Sequence, residues 1–243
     1  MPRAFVAGAT GYTGRAVVGE LCRRQVEVVA HVRPDSKEIG RWTRELDEIG
    51  AAVDSSPWDE EAMADTLAAV APSHVFSLLG TTRARARAAR SETDGVPTYD
   101  SIDYRLTALL INAACSIHPP PRFIYLSATG VSSSRPRNPY YLARWKAERD
   151  LVDSGLRAVI ARPGLIAGGD REESRPMEQV AALLGDRALA MAGRLGARGL
   201  RDRYLSFTAD ELAWALVSLA LSDKGGACEG EVLRRYARGS DRR

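Results

Sequence analysis

The chain has 243 residues, of which 45% are hydrophobic and 27% are charged, and its formal net charge is +3. This composition is typical of a folded globular protein and excludes a disordered or fibrous chain. The mild charge does not require a nucleic-acid partner, and no apolar run approaches the ~20 residues that span a bilayer.

The three cysteines, Cys22, Cys115 and Cys228, lie far apart and form no CxxC pair. This spacing argues against a zinc site and against a disulfide framework. The three histidines are scattered and form no HExxH motif. We therefore predict a cytoplasmic protein with no bound metal, no membrane partner and no nucleic-acid partner.

Short apolar, β-branched segments alternate with helical patterns along the first two thirds of the chain. The predicted strands cover residues 3–8, 27–32, 51–54, 74–79, 122–127 and 157–161, and the predicted helices between them cover 13–24, 59–70, 102–116 and 140–154. Repeated strand–helix units predict an α/β fold with a doubly wound (Rossmann), mostly parallel sheet whose ligand lies across the carboxyl ends of the strands.

The pattern changes after residue 163. A helix is predicted at 208–221 and a late strand at 231–235. We predict a single domain over residues 1–243, with residues 164–243 contributing most of a small C-terminal substrate cap.

The motif GATGYTG occupies residues 8–14, between the first predicted strand and the first predicted helix. Gly8 suits the tight turn, Gly11 lets the main chain approach a pyrophosphate, and Gly14 lets the helix pack closely on the strand. The helix N-terminus adds N–H groups and a partial positive charge for the phosphates. This placement predicts a dinucleotide-binding turn.

The end of the second predicted strand reads EVVAHVRPDS, residues 27–36. A site selective for NAD usually places an acid here to hold the ribose hydroxyls. Arg33 is instead a fixed cation that pairs well with a 2′-phosphate, although Asp35 follows two residues later. We predict NADP(H) as the cofactor, with NAD(H) the less favoured one.

Three motifs together resemble the atypical, NAD(P)H-binding branch of the short-chain dehydrogenase/reductase superfamily. They are GATGYTG, VFSLLGTTR at 75–83, and YLSATG at 125–130 followed by a lysine and ARPG at 161–164. LGTTR and DREESRP, at 79–83 and 170–176, are similar to segments of the Tat-interacting oxidoreductase-like proteins. The resemblance thins out over the last quarter of the chain.

The resemblance implies a set of residues around the cofactor. They are Gly8, Thr10, Gly11, Tyr12, Thr13 and Gly14 at the pyrophosphate, Asp54 by the adenine, Leu79, Gly80 and Thr81 along the ribose, and Pro163 and Gly164 beside the nicotinamide.

Members of this superfamily that reduce carbonyls use a tyrosine four residues before a lysine, because residues four apart share a helix face. Here Lys146 is present and is predicted to hold the nicotinamide ribose, but Leu142 stands four residues before it. Tyr141 and Tyr140 stand five and six residues before it. If Pro139 makes the start of the helix irregular, Tyr141 could turn toward Lys146 and act as the proton donor. The alternative is that Tyr141 has a packing role.

A hydroxyl that orients the substrate carbonyl is expected after the fifth predicted strand. Ser127 is the first candidate and Thr129 the second. The alternative is that both hydroxyls satisfy backbone groups of the loop.

The sequence thus favours an NADPH-dependent oxidoreductase that reduces a small carbonyl, enone or quinone-like molecule by hydride transfer, with Tyr141 or a water supplying the proton. The alternative is a binding protein that senses NADP(H) without turnover. The expected partner is a small-molecule substrate, and the expected assembly is a monomer or a homodimer.

Overall fold

Strands and helices alternate in the computed structural model, which describes residues 1–80, 99–131, 134–166, 206–237 and 239. The strands are β1 (Arg3–Ala7), β2 (Glu27–His31), β3 (Ala52–Asp54), β4 (His74–Ser77), β5 (Arg122–Leu126), β6 (Ala158–Arg162) and β7 (Gly226–Glu229). The helices are α1 (Tyr12–Arg23), α2 (Ile39–Glu48), α3 (Glu60–Val70), α4 (Leu106–Cys115), α5 (Pro139–Asp153), α6 (Ala209–Ala220) and α7 (Gly230–Ala237). A π-helical segment, Tyr99–Arg105, leads directly into α4.

The described strands form one parallel sheet in the order β3-β2-β1-β4-β5-β6-β7. The last residue of β1, Ala7, lies between His31 of β2 and Ser77 of β4. The carboxyl ends of the central strands therefore meet at one edge, and the order reverses direction at β1, where such sheets place their ligand. The predicted α/β doubly wound fold is confirmed.

Alternate residues of each strand point to opposite faces of this sheet, and both faces are covered. On one face Val6, Phe76 and Ile124 pack with α1, α2, α6 and α7. On the other, Phe5 and Phe123 pack with α3, α4 and α5. Burial on both faces explains why the strands read as continuous apolar runs rather than as alternating ones.

The late strand predicted at 231–235 is wrong. Those residues lie in α7, and β7 occupies Gly226–Glu229 immediately before it. A short apolar run such as that at 232–233 fits a buried helix face as well as a strand, and Leu233 is the side chain that α7 buries completely.

Part of the region assigned to the cap instead belongs to the sheet and its helix layer. Strand β7 pairs with β6, and α6 packs against α1. The two ends of the remaining segment, 167–205, are held together because Ile166 bridges to Phe207 and the Phe207 amide donates to the carbonyl of Leu165 at 2.7 Å. The cap predicted for 167–205 lies outside the described residues.

No helix in the described ranges is long and apolar enough to cross a membrane.

Candidate functional site

The glycine turn joins β1 to α1 at the sheet edge where the carboxyl ends meet. Gly8 has φ +83°, and a Cβ there would lie 2.7 Å from the carbonyl oxygen of Leu78. A Cβ on Gly14 would lie 2.0 Å from the carbonyl oxygen of Gly8. Both positions therefore require glycine for the close packing of α1 on β1 and β4.

Gly11 differs, because a Cβ there would meet only the Gly8 carbonyl oxygen, at 3.3 Å. Gly11 is also the N-cap of α1, with no side-chain cap hydrogen bond and no acidic residue in the first turn. Within the described part of the chain, the positive end of the helix dipole thus has neither a side-chain cap at its N-cap residue nor a carboxylate in its first turn. The free N–H groups and the positive dipole of this helix end suit a phosphate group. Thr10, Tyr12 and Thr13 flank Gly11 in the sequence.

Beyond the end of β2, Arg33 and Asp35 lie on the surface with 3.4 Å between Nη1 and Oδ2. Both are solvent-exposed. Arg33, the cation predicted to bind the 2′-phosphate, is thus paired with Asp35, the competing carboxylate. An exposed ion pair of this kind is weak, so a bound phosphate could replace it.

The carboxylate of Asp54, at the end of β3, is hydrogen-bonded within the loop that follows the strand. It accepts from the Ser56 hydroxyl at 2.8 Å and from the Ser56 amide at 3.1 Å. His31 of β2 lies beneath, with Nε2 2.9 Å from the Ser56 carbonyl oxygen and its ring 4.6 Å from that of Trp58. Burial lowers the pKa of His31 from its ordinary value of 6.5, which keeps the imidazole neutral.

At the end of β4, Leu79 is buried and Gly80 is exposed, while Thr81 lies outside the described residues. Across the edge, the Thr129 amide donates to the carbonyl of Pro163 at 2.8 Å, and Gly164 follows directly. The structure thus brings the predicted ribose and nicotinamide residues to the same edge as the glycine turn.

The two residues predicted to act together on α5 lie apart from each other. Tyr141 stands against Gly130, whose Cβ position is 3.4 Å from the phenol oxygen. Lys146 turns to the π-helical segment, where its Nζ lies 2.7 Å from Asp100 Oδ1 and 4.7 Å from the ring centre of Tyr104. The five-residue separation explains this, because it places the two side chains about 140° apart around a helix.

Ser127 is buried and already hydrogen-bonded. Its hydroxyl donates to Glu148 Oε1 at 2.5 Å, and Arg162 donates to both carboxylate oxygens of Glu148. These hydrogen bonds raise the pKa of Arg162. The hydroxyl of Thr129, by contrast, is buried with no hydrogen-bond partner among the described residues. The second hydroxyl candidate is therefore the one whose hydrogen-bonding capacity is left unsatisfied by the described residues.

The sequence interpretation did not single out two residues at this edge, Arg144 and Asp103. They form a buried ion pair with 3.0 Å between Nη2 and Oδ1, and Arg144 Nη1 also donates to the carbonyl of Leu126 at 2.5 Å. The sequence does hold one signal for Arg144. It follows Tyr140 by four residues, which places the two side chains on the same face of a helix. Within the described ranges, no group of three or more His, Cys, Asp or Glu side chains is arranged to hold a metal ion.

A family model described as NAD(P)H-binding matches residues 8–187. Protein fmp52-1 of Aspergillus oryzae, named as mitochondrial, is 30% identical over 240 residues, which cover 96% of this chain and 90% of that protein. A solved Bacillus halodurans structure, provisionally described as an NAD-dependent epimerase/dehydratase, has a TM-score of 0.66 at 20% identity and covers 98% of this chain and 99% of that one. Bordetella bronchiseptica WbmH, solved in complex with NAD⁺, has a TM-score of 0.64 at 18% identity, with coverage of 94% and 74%. Both structures share the fold.

Proposed function

This chain belongs to the NAD(P)H-binding family, within the atypical branch of the short-chain dehydrogenase/reductase superfamily, and on that premise we propose that it is an NADPH-dependent oxidoreductase. The substrate is a small carbonyl, enone or quinone-like molecule. The observation that carries this proposal is the glycine turn between β1 and α1, whose helix N-terminus has no side-chain cap hydrogen bond and no acidic residue in its first turn.

The cofactor supplies the hydride, and the chain supplies position and a proton. The turn at 8–14 holds the pyrophosphate, and the residues after β4 and β6 hold the rest of the nucleotide along the sheet edge. Tyr141 is the proposed proton donor, because its phenol lies against Gly130 beside the β6 end. Thr129, whose hydroxyl has no partner among the described residues, is proposed to orient the carbonyl, because the Ser127 hydroxyl is bonded to Glu148. A ribose contact by Lys146 stays a prediction, and it would require Asp100 to release the ammonium group.

Turnover tests the proposal directly. The purified chain is incubated with NADPH and a panel of aldehydes, ketones, enones and quinones, and loss of absorbance at the nicotinamide band is followed. We expect at least one class to consume NADPH in proportion to product. Tight NADPH binding with no consumption by any class would instead support a cofactor-sensing protein without turnover, which the separation of Tyr141 from Lys146 favours.

Selectivity for NADPH is proposed to depend on Arg33. We expect Arg33→Ala to weaken NADPH binding by about tenfold or more and to leave NADH nearly unchanged, because one charge-assisted phosphate contact is lost. Calorimetric dissociation constants for both nucleotides measure this.

Arg41→Ala is the matched control, since Arg41 is also exposed but is bound to Glu38 and Glu45. Equal weakening of NADPH and NADH binding by Arg33→Ala would remove Arg33 from the selectivity proposal.

The name of the Aspergillus relative places that protein in mitochondria, so a cytoplasmic location for this chain stays a prediction.

A further inference from the structure

The ion pair between Arg144 and Asp103 is buried at the sheet edge and has no assigned role in the function proposed above. Asp103 has no exposed surface, and Arg144 is 7% exposed. Removing two charges from water is costly, so a pair of this kind is retained only where its geometry is good or its charge is used. Asp103 belongs to the π-helical segment, a local geometry that is rare and is often found at functional sites.

The pair lies directly against the main chain that is expected to line the ribose. A Cβ on Gly80 would be 3.4 Å from Arg144 Nη2 and 3.7 Å from Asp103 Oδ1. Gly80 is itself exposed and carries no side chain, so among the described residues no side chain at position 80 stands in front of the guanidinium. Arg144 Nε has no hydrogen-bond partner among the described residues. A cation with a donor to spare is therefore held at the end of β4.

Both tyrosines of α5 lie on the same side of the helix as this cation. Tyr140 precedes Arg144 by four residues and Tyr141 precedes it by three. The guanidinium carbon is 4.8 Å from the ring centre of Tyr140, whose ring is in turn 5.1 Å from that of Tyr141. Lys146, by contrast, contacts Asp100 on the outer side of the π-helical segment.

We propose that Arg144, positioned by Asp103, is the cation of this site, and that it binds the nicotinamide ribose beside the tyrosine pair in the role expected of Lys146. This inference rests on the proposed function. Arginine stays protonated throughout the accessible pH range and presents a planar set of donors, so Arg144 contributes charge and orientation and takes no part in proton transfer. The proton then comes from a phenol or from water.

The test compares two ligands that share the adenosine half. NADPH carries the nicotinamide ribose, and adenosine 2′,5′-bisphosphate lacks it. Because removing Arg144 alone would strand a buried carboxylate, the main variant is the neutral double substitution Asp103→Asn with Arg144→Gln. We expect it to weaken NADPH binding at least tenfold and adenosine 2′,5′-bisphosphate binding less than twofold, both measured by calorimetry.

Arg149→Met is the matched control, because Arg149 is an exposed cation on the same helix, 4.0 Å from Asp153. It should leave both ligands within twofold of the unmodified chain. Thermal unfolding confirms that each variant is folded. If the double variant does not fold, Arg144→Lys, which keeps a charge for Asp103, should give a selective loss of NADPH binding of several-fold.

Equal weakening of both ligands, or no weakening of either, would overturn the proposal by leaving Arg144 a structural role. Selective loss of NADPH on Lys146→Met, with none in the Arg144 variants, would return the role to Lys146. Failure of the unmodified chain to bind either ligand would contradict the proposed function itself, which separates that failure from failure of this inference.

Discussion

Individual glycines of the turn serve two different purposes. Gly8 and Gly14 are required by the packing of the protein, since a Cβ at either position would overlap backbone at 2.7 Å or less. Gly11 has φ −73°, which any residue adopts, and its Cβ position is only moderately tight. Packing therefore disfavours a side chain at Gly11 less strongly than at Gly8 or Gly14, and the proposed ligand would add a second reason for glycine there.

Gly11→Ala separates binding from folding. We expect the free energy of unfolding to change by less than about 1 kcal/mol, because φ permits alanine and the Gly8 carbonyl oxygen has to move by only a few tenths of an ångström. NADPH binding should weaken by about tenfold or more, because a methyl group then stands where the pyrophosphate approaches the main chain. Urea unfolding and calorimetry measure the two effects.

Gly19→Ala, on the same helix with open space at its Cβ position, is the control. It should leave NADPH binding unchanged and stabilise the fold slightly. Unaltered NADPH affinity in Gly11→Ala would mean that the turn does not approach a phosphate as proposed.

The turn and packing roles of Gly8 and Gly14 could be predicted from the sequence, whereas the contacts of residues on α5 depend on packing. Spacing shows that Lys146 and Tyr141 lie on different sides of a regular helix. It does not show that Arg144 is the cation turned toward β4, since this depends on the π-helical segment placing Asp103 beside it. The same holds for Ser127, whose partner Glu148 is 21 residues away in the chain.

At the scale of elements, prediction succeeded where burial is continuous. Strands β1, β4 and β5 are buried along nearly their whole length, and their apolar runs are visible in the sequence. Helix α2 was not predicted, although Ile39, Trp42 and Leu46 recur at helical spacing and pack on the core, because its other residues are glycine, threonine and charged side chains. Helix α7, read as a strand, is eight residues long, too short for a helical period to stand out.

Helix α6 begins with a capping box that ties the returning chain to the sheet. The Thr208 hydroxyl accepts from the Glu211 amide at 3.2 Å, and the Glu211 carboxylate accepts from the Thr208 amide at 3.0 Å. We expect Thr208→Ala to lower the free energy of unfolding by about 1 kcal/mol, as measured by urea denaturation.

Thr43→Ala makes a suitable comparison, because Thr43 is exposed in α2 and its hydroxyl bonds the Ile39 carbonyl within the helix. This change should be neutral or slightly stabilising. Equal effects of the two substitutions would show that the capping box does not stabilise α6.

At the scale of the whole molecule, two histidines at opposite edges of the sheet, the buried His31 and the half-buried His74, make stability depend on pH. His31 lies at the carboxyl end of β2, and His74 lies at the amino end of β4, where Nε2 is 3.1 Å from the Ala220 carbonyl oxygen. Burial lowers the pKa of both from the ordinary value of 6.5. The unfolded chain therefore binds more protons than the folded chain just below pH 6.5.

Stability is consequently expected to fall as the pH drops below about 6.5 and to stop falling from this cause once the folded-state pKa values are passed. Each histidine contributes at most about 1.4 kcal/mol per pH unit. Urea denaturation at pH 7.5, 6.5 and 5.5 measures the slope. The double variant His31→Gln with His74→Gln should flatten it, and an unchanged slope would assign the effect to other groups.

The fold class follows from the repeated strand–helix pattern, which the sequence displays over its first two thirds. The places of β7 and α6 did not follow from it, because their partners β6 and α1 are distant from them in the sequence.

The pairing of Ile166 with Phe207 joins the points of departure and return, and Arg234 reinforces it with its guanidinium carbon 3.5 Å from the centre of the Phe207 ring. Loop-closure entropy grows only slowly with length, so once the two ends are fastened the intervening stretch can lengthen, shorten or change composition at little thermodynamic expense. Variation in length between residues 166 and 207 is therefore expected to leave the sheet and the glycine turn intact, as long as this pairing is kept.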